Sequence, residues 1–154
     1  MELHVPDEAT LLALANSLAV DSAPIRVIYL DGELGAGKTT WARGYLGGLG
    51  VASRVKSPTF TVIETYPSQW GPICHFDLYR LVDPEELEYV GIRDLDAQAA
   101  CLIFEWPEQG RGHLPAPDLT IEFFYADRGR RLRFSCPEPA TMAEIGSRLE
   151  SYIL

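Results

Sequence analysis

Residues 32–39 read Gly-Glu-Leu-Gly-Ala-Gly-Lys-Thr, which fits the pattern G-x-x-x-x-G-K-[ST] of the phosphate-binding loop in nucleoside-triphosphate enzymes. The glycines allow backbone angles that a side chain would forbid, so the main chain can approach a ligand closely. Successive N–H groups then point inward around phosphate oxygens, and the positive end of the following helix adds to the attraction. The pattern assigns Lys38 to the β- and γ-phosphates and the Thr39 hydroxyl to Mg²⁺, a cation that prefers oxygen ligands.

The residues on either side of this loop support the same interpretation. The run 25–31, Ile-Arg-Val-Ile-Tyr-Leu-Asp, is short, mostly apolar and β-branched, as expected of a buried strand. The run 40–46 can continue as a helix, and Gly47, Gly48 and Gly50 predict its end. A strand before the loop and a helix after it are the setting that the motif requires, which favours a real motif over a chance glycine-rich turn.

The composition bounds the class of protein. For 154 residues a single domain spanning 1–154 is expected, and a hydrophobic content of 47% is enough for a core. With 13 basic and 22 acidic side chains the net charge is −9. This argues against a protein that as a whole binds nucleic acid or a membrane surface, although it allows a local basic patch. No apolar run approaches the length of a membrane span.

The cysteines and histidines indicate neither a disulfide framework nor a zinc site. Cys74, Cys101 and Cys136 form no C-x-x-C pair, and two of them lie in apolar runs. Buried free thiols in a reducing cytoplasm are therefore expected. The three histidines lack the spacing of zinc ligands.

The rest of the chain alternates between strand and helix patterns. Asp7 is placed to cap a helix over residues 8–19. Two antiparallel hairpins are predicted, one from 62–66 with 73–77 and one from 119–125 with 131–136. A short helix is expected to start at Asp83, with Leu87 and Val90 facing inward, and a closing helix covers 140–153.

Two carboxylates end apolar strands, at the edge where ligands gather in open α/β sheets. Residues 101–105 are four apolar residues followed by Glu105, the usual form of the second metal-binding element in these enzymes. Glu105 is therefore a better magnesium candidate than Asp77, whose strand carries His75. Asp77 is the natural group to orient an attacking water, and the alternative is a solvated aspartate at the end of a strand.

Three further features allow two interpretations each. Trp106 follows Glu105 directly, so its ring lies either near the site or over the core. Ser57 and Thr59 form either a nucleotide switch, whose hydroxyl meets the Mg²⁺ and γ-phosphate region, or an ordinary turn. The basic cluster contacts phosphate, nucleobase or RNA, or it is a solvated edge protected by charge. Its members are Arg128, Arg130, Arg131 and Arg133.

Missing motifs narrow the nucleotide and the chemistry. No Asn-Lys-x-Asp element for guanine is present, so ATP is favoured. No arginine-rich lid is visible either, since the loop 108–118 contributes only Arg111, and this weakens a small-molecule kinase interpretation. Hydrolysis remains, in which water attacks the γ-phosphate in line while Lys38 and Mg²⁺ offset its charge.

A set of motifs occurs in the same order in the TsaE family, formerly YjeE, which this chain resembles over nearly its whole length. The motifs are 35–40 (Gly-Ala-Gly-Lys-Thr-Thr), 57–61 (Ser-Pro-Thr-Phe-Thr), 75–81 (His-Phe-Asp-Leu-Tyr-Arg-Leu), 83–87 (Asp-Pro-Glu-Glu-Leu) and 105–107 (Glu-Trp-Pro). The combination is specific, whereas the phosphate loop alone would indicate only a superfamily.

The resemblance implies a fold, an activity and partners. The fold would be a P-loop NTPase-like three-layer α/β fold, with a mixed, mainly parallel central sheet and antiparallel hairpins. The activity would be hydrolysis of ATP to ADP and phosphate, slow without partners. The partners would resemble TsaD and TsaB, which transfer threonylcarbamoyl to adenosine 37 of tRNAs reading codons that begin with A. ATP use would reset or regulate that complex in the cytoplasm, and tRNA would be met only through the complex.

The resemblance also assigns residues. Thr39 and Glu105 match the magnesium site of the family, and Asp77 matches its catalytic aspartate, beside Lys38. Trp106 matches a tryptophan near the nucleotide, and Glu8 and Arg130 align with positions that flank the adenine end. The loop residues assigned to ATP are Gly35, Ala36, Gly37, Lys38, Thr39 and Thr40.

Two alternatives to an ATPase subunit stay open. The first is a nucleotide-gated binding module in which ATP binding, without essential hydrolysis, is sufficient. The second is a small-molecule kinase. Both need the same phosphate loop, so the sequence does not separate them.

Overall fold

The computed structural model describes residues 1–51 and 62–153. In this part of the chain seven strands form one sheet. The strands are β1 (Glu2–Val5), β2 (Val27–Gly32), β3 (Ile63–Tyr66), β4 (Ile73–Asp77), β5 (Cys101–Glu105), β6 (Leu119–Tyr125) and β7 (Arg130–Ser135). The helices are α1 (Glu8–Ala19), α2 (Lys38–Gly48), α3 (Glu86–Tyr89), α4 (Ile92–Gln98) and α5 (Pro139–Arg148). Short 3₁₀ helices cover Pro107–Gly110 and Glu150–Tyr152.

The strand that leads into the phosphate loop, β2, lies in the middle of the sheet. The order across the sheet is β1-β7-β6-β2-β5-β4-β3. The pairs β6–β2, β2–β5 and β5–β4 are parallel, while β1–β7, β7–β6 and β4–β3 are antiparallel. The expected mixed sheet with a parallel centre and two antiparallel hairpins is therefore confirmed.

Helices cover both faces of the sheet, which gives the three layers that were expected. On one face Ile28, Leu30 and Ile103 pack in a buried cluster with residues of α1 and α2. On the other face Phe76 and Phe104 stack on each other, with ring centroids 4.6 Å apart, in a cluster that includes residues of α3 and α4. Every residue of β5 is buried, as expected of an interior parallel strand.

Helices α1 and α2 approach each other backbone to backbone. A Cβ atom on Gly44 would lie 2.6 Å from the carbonyl oxygen of Leu12, and one on Gly48 would lie 2.6 Å from that of Asn16. The glycines thus let the two helices approach closely, and this contact fixes the helix that carries the phosphate loop. The expected end of this helix at Gly47, Gly48 and Gly50 is confirmed, since α2 ends at Gly48 and Gly50 follows with a φ of +84°.

The other helices agree with the sequence predictions only in part. Helix α1 spans Glu8–Ala19 as predicted, capped by the Asp7 side chain, which accepts from Thr10 N at 2.7 Å. The closing helix ends at Arg148 and is followed by a 3₁₀ turn. Near residue 86 Leu87 is buried, but Val90 is 42% exposed, so the prediction that it faces inward is wrong. No helix among the described residues is both long and apolar enough to span a membrane.

Candidate active site

The phosphate loop joins the end of β2 to the start of α2 at the carboxyl edge of the parallel strands. Gly35 and Gly37 have φ angles of +75° and +111°, the left-handed region that glycine adopts without steric cost. The loop is closed by Ala36 N donating to Glu33 O at 3.1 Å and by Trp41 N donating to Gly37 O at 2.9 Å. The first turn of α2 therefore faces this edge, where unpaired N–H groups attract anions.

The Lys38 ammonium lies folded against its own loop. It is 4% exposed and donates to the carbonyl oxygens of Gly32 and Glu33, the latter at 2.8 Å. Its Nζ also lies 4.1 Å from the centroid of the Trp106 ring, a cation–π contact. Burial lowers the pKa of Lys38, while the nearby carboxylates, Glu105 foremost, oppose that shift. A phosphate in the loop would offer this ammonium charged acceptors in place of neutral carbonyls.

Thr39 and Glu105 are hydrogen-bonded to each other. The Thr39 hydroxyl lies 3.0 Å and 3.1 Å from Oε1 and Oε2 of Glu105, a carboxylate that is 3% exposed. A hydroxyl that donates its one proton to a carboxylate keeps its lone pairs for a cation. Thr39, Glu105 and Asp77 all offer oxygen ligands, which fits Mg²⁺ held by one or two carboxylates and by phosphates. The described residues hold no cluster of three or more metal-ligating side chains, and such a Mg²⁺ site needs none.

Asp77 lies beside this pair. In the parallel ladder between β4 and β5 it is directly opposite Glu105, and its carboxylate accepts from Tyr79 N at 3.1 Å. Burial, and secondarily the negative charge of Glu105, raise the pKa of Asp77. Asp77 is thus a half-buried group at the mouth of the cleft, which weakens the interpretation of a merely solvated aspartate.

His75 is a site residue that the sequence reasoning missed. It is fully buried, and its Nε2 lies 2.5 Å from Oε2 of Glu105. In the sequence analysis, the presence of His75 in the strand that ends at Asp77 was a reason to prefer Glu105 as the magnesium ligand. The available signal was its spacing of two from Asp77, which puts both side chains on one face of a strand. The contact between His75 and Glu105 depends on the register of β4 against β5, which the sequence does not reveal.

Trp106 contacts both the site and the core. Its φ of +59° is in the left-handed region, which is strained for a bulky side chain. The ring packs at one side against buried residues of the α3–α4 layer and meets Tyr79, with centroids 4.8 Å apart. At the other side it meets the Lys38 ammonium. Trp106 therefore lies near the site and also packs over the core.

Two clefts open along the loop. One, of about 220 Å³, is lined by loop residues with Lys38, Asp77, Glu105 and Trp106. The other, of about 300 Å³, lies between the loop and the start of α1, and Glu8 and Arg130 line it with Gly35, Ala36, Gly37 and Thr40. The loop residues Gly35, Gly37 and Thr40 line both clefts. A ligand with phosphates at one end and a larger group at the other would fit this arrangement.

The basic cluster divides into separate parts. The Arg130 guanidinium donates to Gly35 O at 3.1 Å and to Ala36 O at 3.2 Å, and lies over the Tyr125 ring. Arg131 and Arg133 instead pair with the Glu2 carboxylate, at 3.9 Å and 2.9 Å. Of these three, Arg130 alone reaches the phosphate loop. The candidate switch residues Ser57 and Thr59 lie outside the described residues, and the roles assigned to the site residues stay predictions.

A mixed β-sheet between two layers of helices, whose central strand leads through a glycine loop into a helix, defines the P-loop class of fold. A crystal structure of Bacillus subtilis YdiB superimposes on the chain with a TM-score of 0.77 at 25% identity, covering 98% of this chain and 95% of that one.

The chain belongs to the TsaE family. The family model described as "Threonylcarbamoyl adenosine biosynthesis protein TsaE" matches residues 5–132. The chain is similar to the tRNA threonylcarbamoyladenosine biosynthesis protein TsaE of Haemophilus influenzae, with 44% identity over 135 residues, 84% of this chain and 85% of the relative. The protein of the same name from Bacillus subtilis is 36% identical over 139 residues, 90% of this chain and 82% of the relative. The family predicted from the motifs is thus confirmed.

Proposed function

We propose that this protein is a Mg²⁺-dependent ATPase that serves tRNA threonylcarbamoyladenosine biosynthesis. The observation that carries the proposal is the hydrogen-bonded pair of Thr39 and Glu105, which lies beside Lys38 at the mouth of the glycine loop. This is the donor set that a nucleotide-bound magnesium ion uses, and the cleft that continues past the loop gives room for a nucleoside. Family membership supports the biological process.

Each residue has a task in hydrolysis. Lys38 would leave the carbonyl oxygens of Gly32 and Glu33 and bind the β- and γ-phosphates. Thr39 and Glu105 would hold Mg²⁺, which when bound stabilises charge on the phosphoryl oxygens. Asp77, at the same edge, would accept a hydrogen bond from the attacking water and orient it. Water attacks the γ-phosphorus in line, the bond to the bridging oxygen breaks, and ADP leaves with the electron pair.

The site supports slow turnover in the isolated chain. An arginine that stabilises the transition state commonly raises the rate of such enzymes by about 10³–10⁵-fold. Arg130 contacts the loop from the side of the second cleft, where Asp77 and Glu105 are not among the lining residues. Among the described residues that line the cleft with Asp77, none is an arginine. We therefore expect partners to complete the site.

The partners proposed are TsaD- and TsaB-like proteins that modify adenosine 37 of tRNAs reading codons that begin with A. The names of the relatives place those proteins in tRNA threonylcarbamoyladenosine biosynthesis. The net charge of −9 disfavours direct binding of tRNA, so tRNA would be met through the complex, in the cytoplasm. ATP turnover would regulate or reset the complex.

The test is phosphate release from ATP by the purified chain, alone and with its TsaB- and TsaD-like partners and tRNA. We expect little release alone and a large increase with the partners. Calorimetry of ATP binding with Mg²⁺ is measured in parallel. No binding by the intact chain would overturn the proposal, and efficient transfer of phosphate to a metabolite instead of water would favour a kinase.

A further inference from the structure

We propose that His75 is a positioning residue that fixes the Glu105 carboxylate for the metal ion, an inference that rests on the proposed function. His75 and Glu105 belong to adjacent parallel strands, in which His75 is opposite Ile103 and Asp77 is opposite Glu105. The imidazole therefore lies one pleat below the Asp77–Glu105 pair on the same face of the sheet. From there its Nε2 reaches Oε2 of Glu105 at 2.5 Å.

The hydrogen bonds leave the two oxygens of Glu105 unequal. Oε2 is approached by His75 Nε2 and by the Thr39 hydroxyl, whereas Oε1 is approached by the Thr39 hydroxyl alone among the described residues. Each carboxylate oxygen has about two lone-pair sites. The Thr39 proton is shared between the two oxygens, so the bond from His75 occupies Oε2 further and leaves Oε1 with the greater free lone-pair capacity. The imidazole thus prevents rotation of the carboxylate and directs Oε1 to the cation or to a water bound to it.

A packing role alone does not account for an imidazole at this position. The neighbours of His75 on the same face, Ile73 and Ile103, are fully buried aliphatic residues. His75 is as buried as they are, yet its Nδ1 has no hydrogen-bond partner among the described residues. Burying an unpaired polar atom costs stability. Among the described residues, the polar contact that offsets the cost is the bond to Glu105, so the side chain is explained by what it does to that carboxylate.

The test compares three variants at position 75. A glutamine amide can occupy the place of Nε2, an asparagine amide reaches only the place of Nδ1, and leucine fills the volume without a donor. The first readout is the dissociation constant of Mn²⁺, a spectroscopic substitute for Mg²⁺, from the complex with ADP, measured by electron paramagnetic resonance. The second is the affinity for ADP without metal, and circular dichroism melting confirms folding.

We expect His75→Asn and His75→Leu to weaken Mn²⁺ binding by about 10–100-fold while metal-free ADP affinity changes little. His75→Gln should recover most of the lost affinity. Equal Mn²⁺ affinity in His75→Asn, His75→Gln and the wild type would overturn the inference, even if His75→Leu does not fold. Absence of Mn²⁺·ADP binding by the wild type would instead overturn the proposed function, and this inference with it.

Discussion

Charged side chains cluster in two regions of this protein, which differ in how far these side chains are exposed to solvent. At the loop, Lys38 and Glu105 are almost completely buried. On the β1–β7 edge, Arg131 and Arg133 are about half exposed and share Glu2 as a partner. The second region holds the denser basic sequence. Charge that is kept out of water at some cost marks the candidate site better than charge that is merely abundant.

The largest contrast is expected from removing one cation in each region. Lys38→Ala should lower ATP binding or turnover by about 10²–10³-fold, because Lys38 is the one cation among the described residues that line the cleft with Asp77 and Glu105. The matched variant Arg131→Ala should leave both within about twofold, because its guanidinium lies on the exposed edge. Calorimetry and phosphate release measure both. Similar losses in the two variants would break the comparison.

Asp77→Asn separates chemistry from binding within the buried region. The amide has nearly the same shape but is a weaker acceptor for the attacking water, so turnover with partners should fall by roughly 10²-fold. Metal-free ADP affinity should change little. If tRNA modification continues unimpaired in this variant while turnover is lost, hydrolysis is dispensable and the protein acts as a nucleotide-gated module.

The same carboxyl gives a dependence on pH. Burial raises the pKa of Asp77 in the folded chain, so its protonated form is the one that folding favours. The stability it contributes is present below its ordinary pKa and is lost as pH rises through the folded-state value. Without metal, Asp77→Asn should therefore be more stable than the wild type at neutral pH, with the difference shrinking in acid. Urea unfolding of both proteins at neutral and at acidic pH measures this difference in stability. A difference that grows in acid would contradict the prediction.

Trp106 should report ligand binding by fluorescence. Its ring contacts the Lys38 ammonium, which a phosphate would draw away, so intensity should change on adding ADP. The control is Trp106→Phe, in which buried Trp41 and exposed Trp70 remain and should respond little. An equal response in the control would assign the signal elsewhere.

The smallest effect is expected on the exposed edge. Glu2→Gln removes the partner that Arg131 and Arg133 share, and the free energy of unfolding should fall slightly at low salt and hardly at all at high salt. Nucleotide affinity should stay unchanged. A loss of nucleotide affinity would show that the two regions are coupled.

Local patterns explain what the sequence could predict. The strand, loop and helix around residues 32–39, the 119–125 strand and the acid that ends 101–105 each depend on neighbours in sequence, and the structure has them. The seven-strand order, the pairing of Arg133 with Glu2 and the contact between His75 and Glu105 depend on residues 30 to 131 positions apart. Such contacts are set by register across the sheet, which no short window contains.

Gly48 has a second role that the sequence does not reveal, beside its place at the end of α2. Glycine is a common helix terminator, so Gly47 and Gly48 predicted an end to α2. Gly48 also meets the backbone of α1, a role visible only once the two helices are packed, whereas a Cβ on Gly47 would make only an ordinary contact with the Asn16 side chain, at 3.9 Å.

The hydrogen bonds from Lys38 to the carbonyl oxygens of its own loop affect the affinity of the site for nucleotide. The ammonium already donates to two carbonyl oxygens, which a bound nucleotide would have to replace. Binding therefore gains only the difference in free energy between the phosphate acceptors and these carbonyl acceptors. On departure the carbonyls take the ammonium back, and no bare charge is left in a low-dielectric crevice. Such an exchange favours moderate affinity and fast dissociation. These properties suit a protein that binds and releases nucleotide repeatedly better than one that retains it.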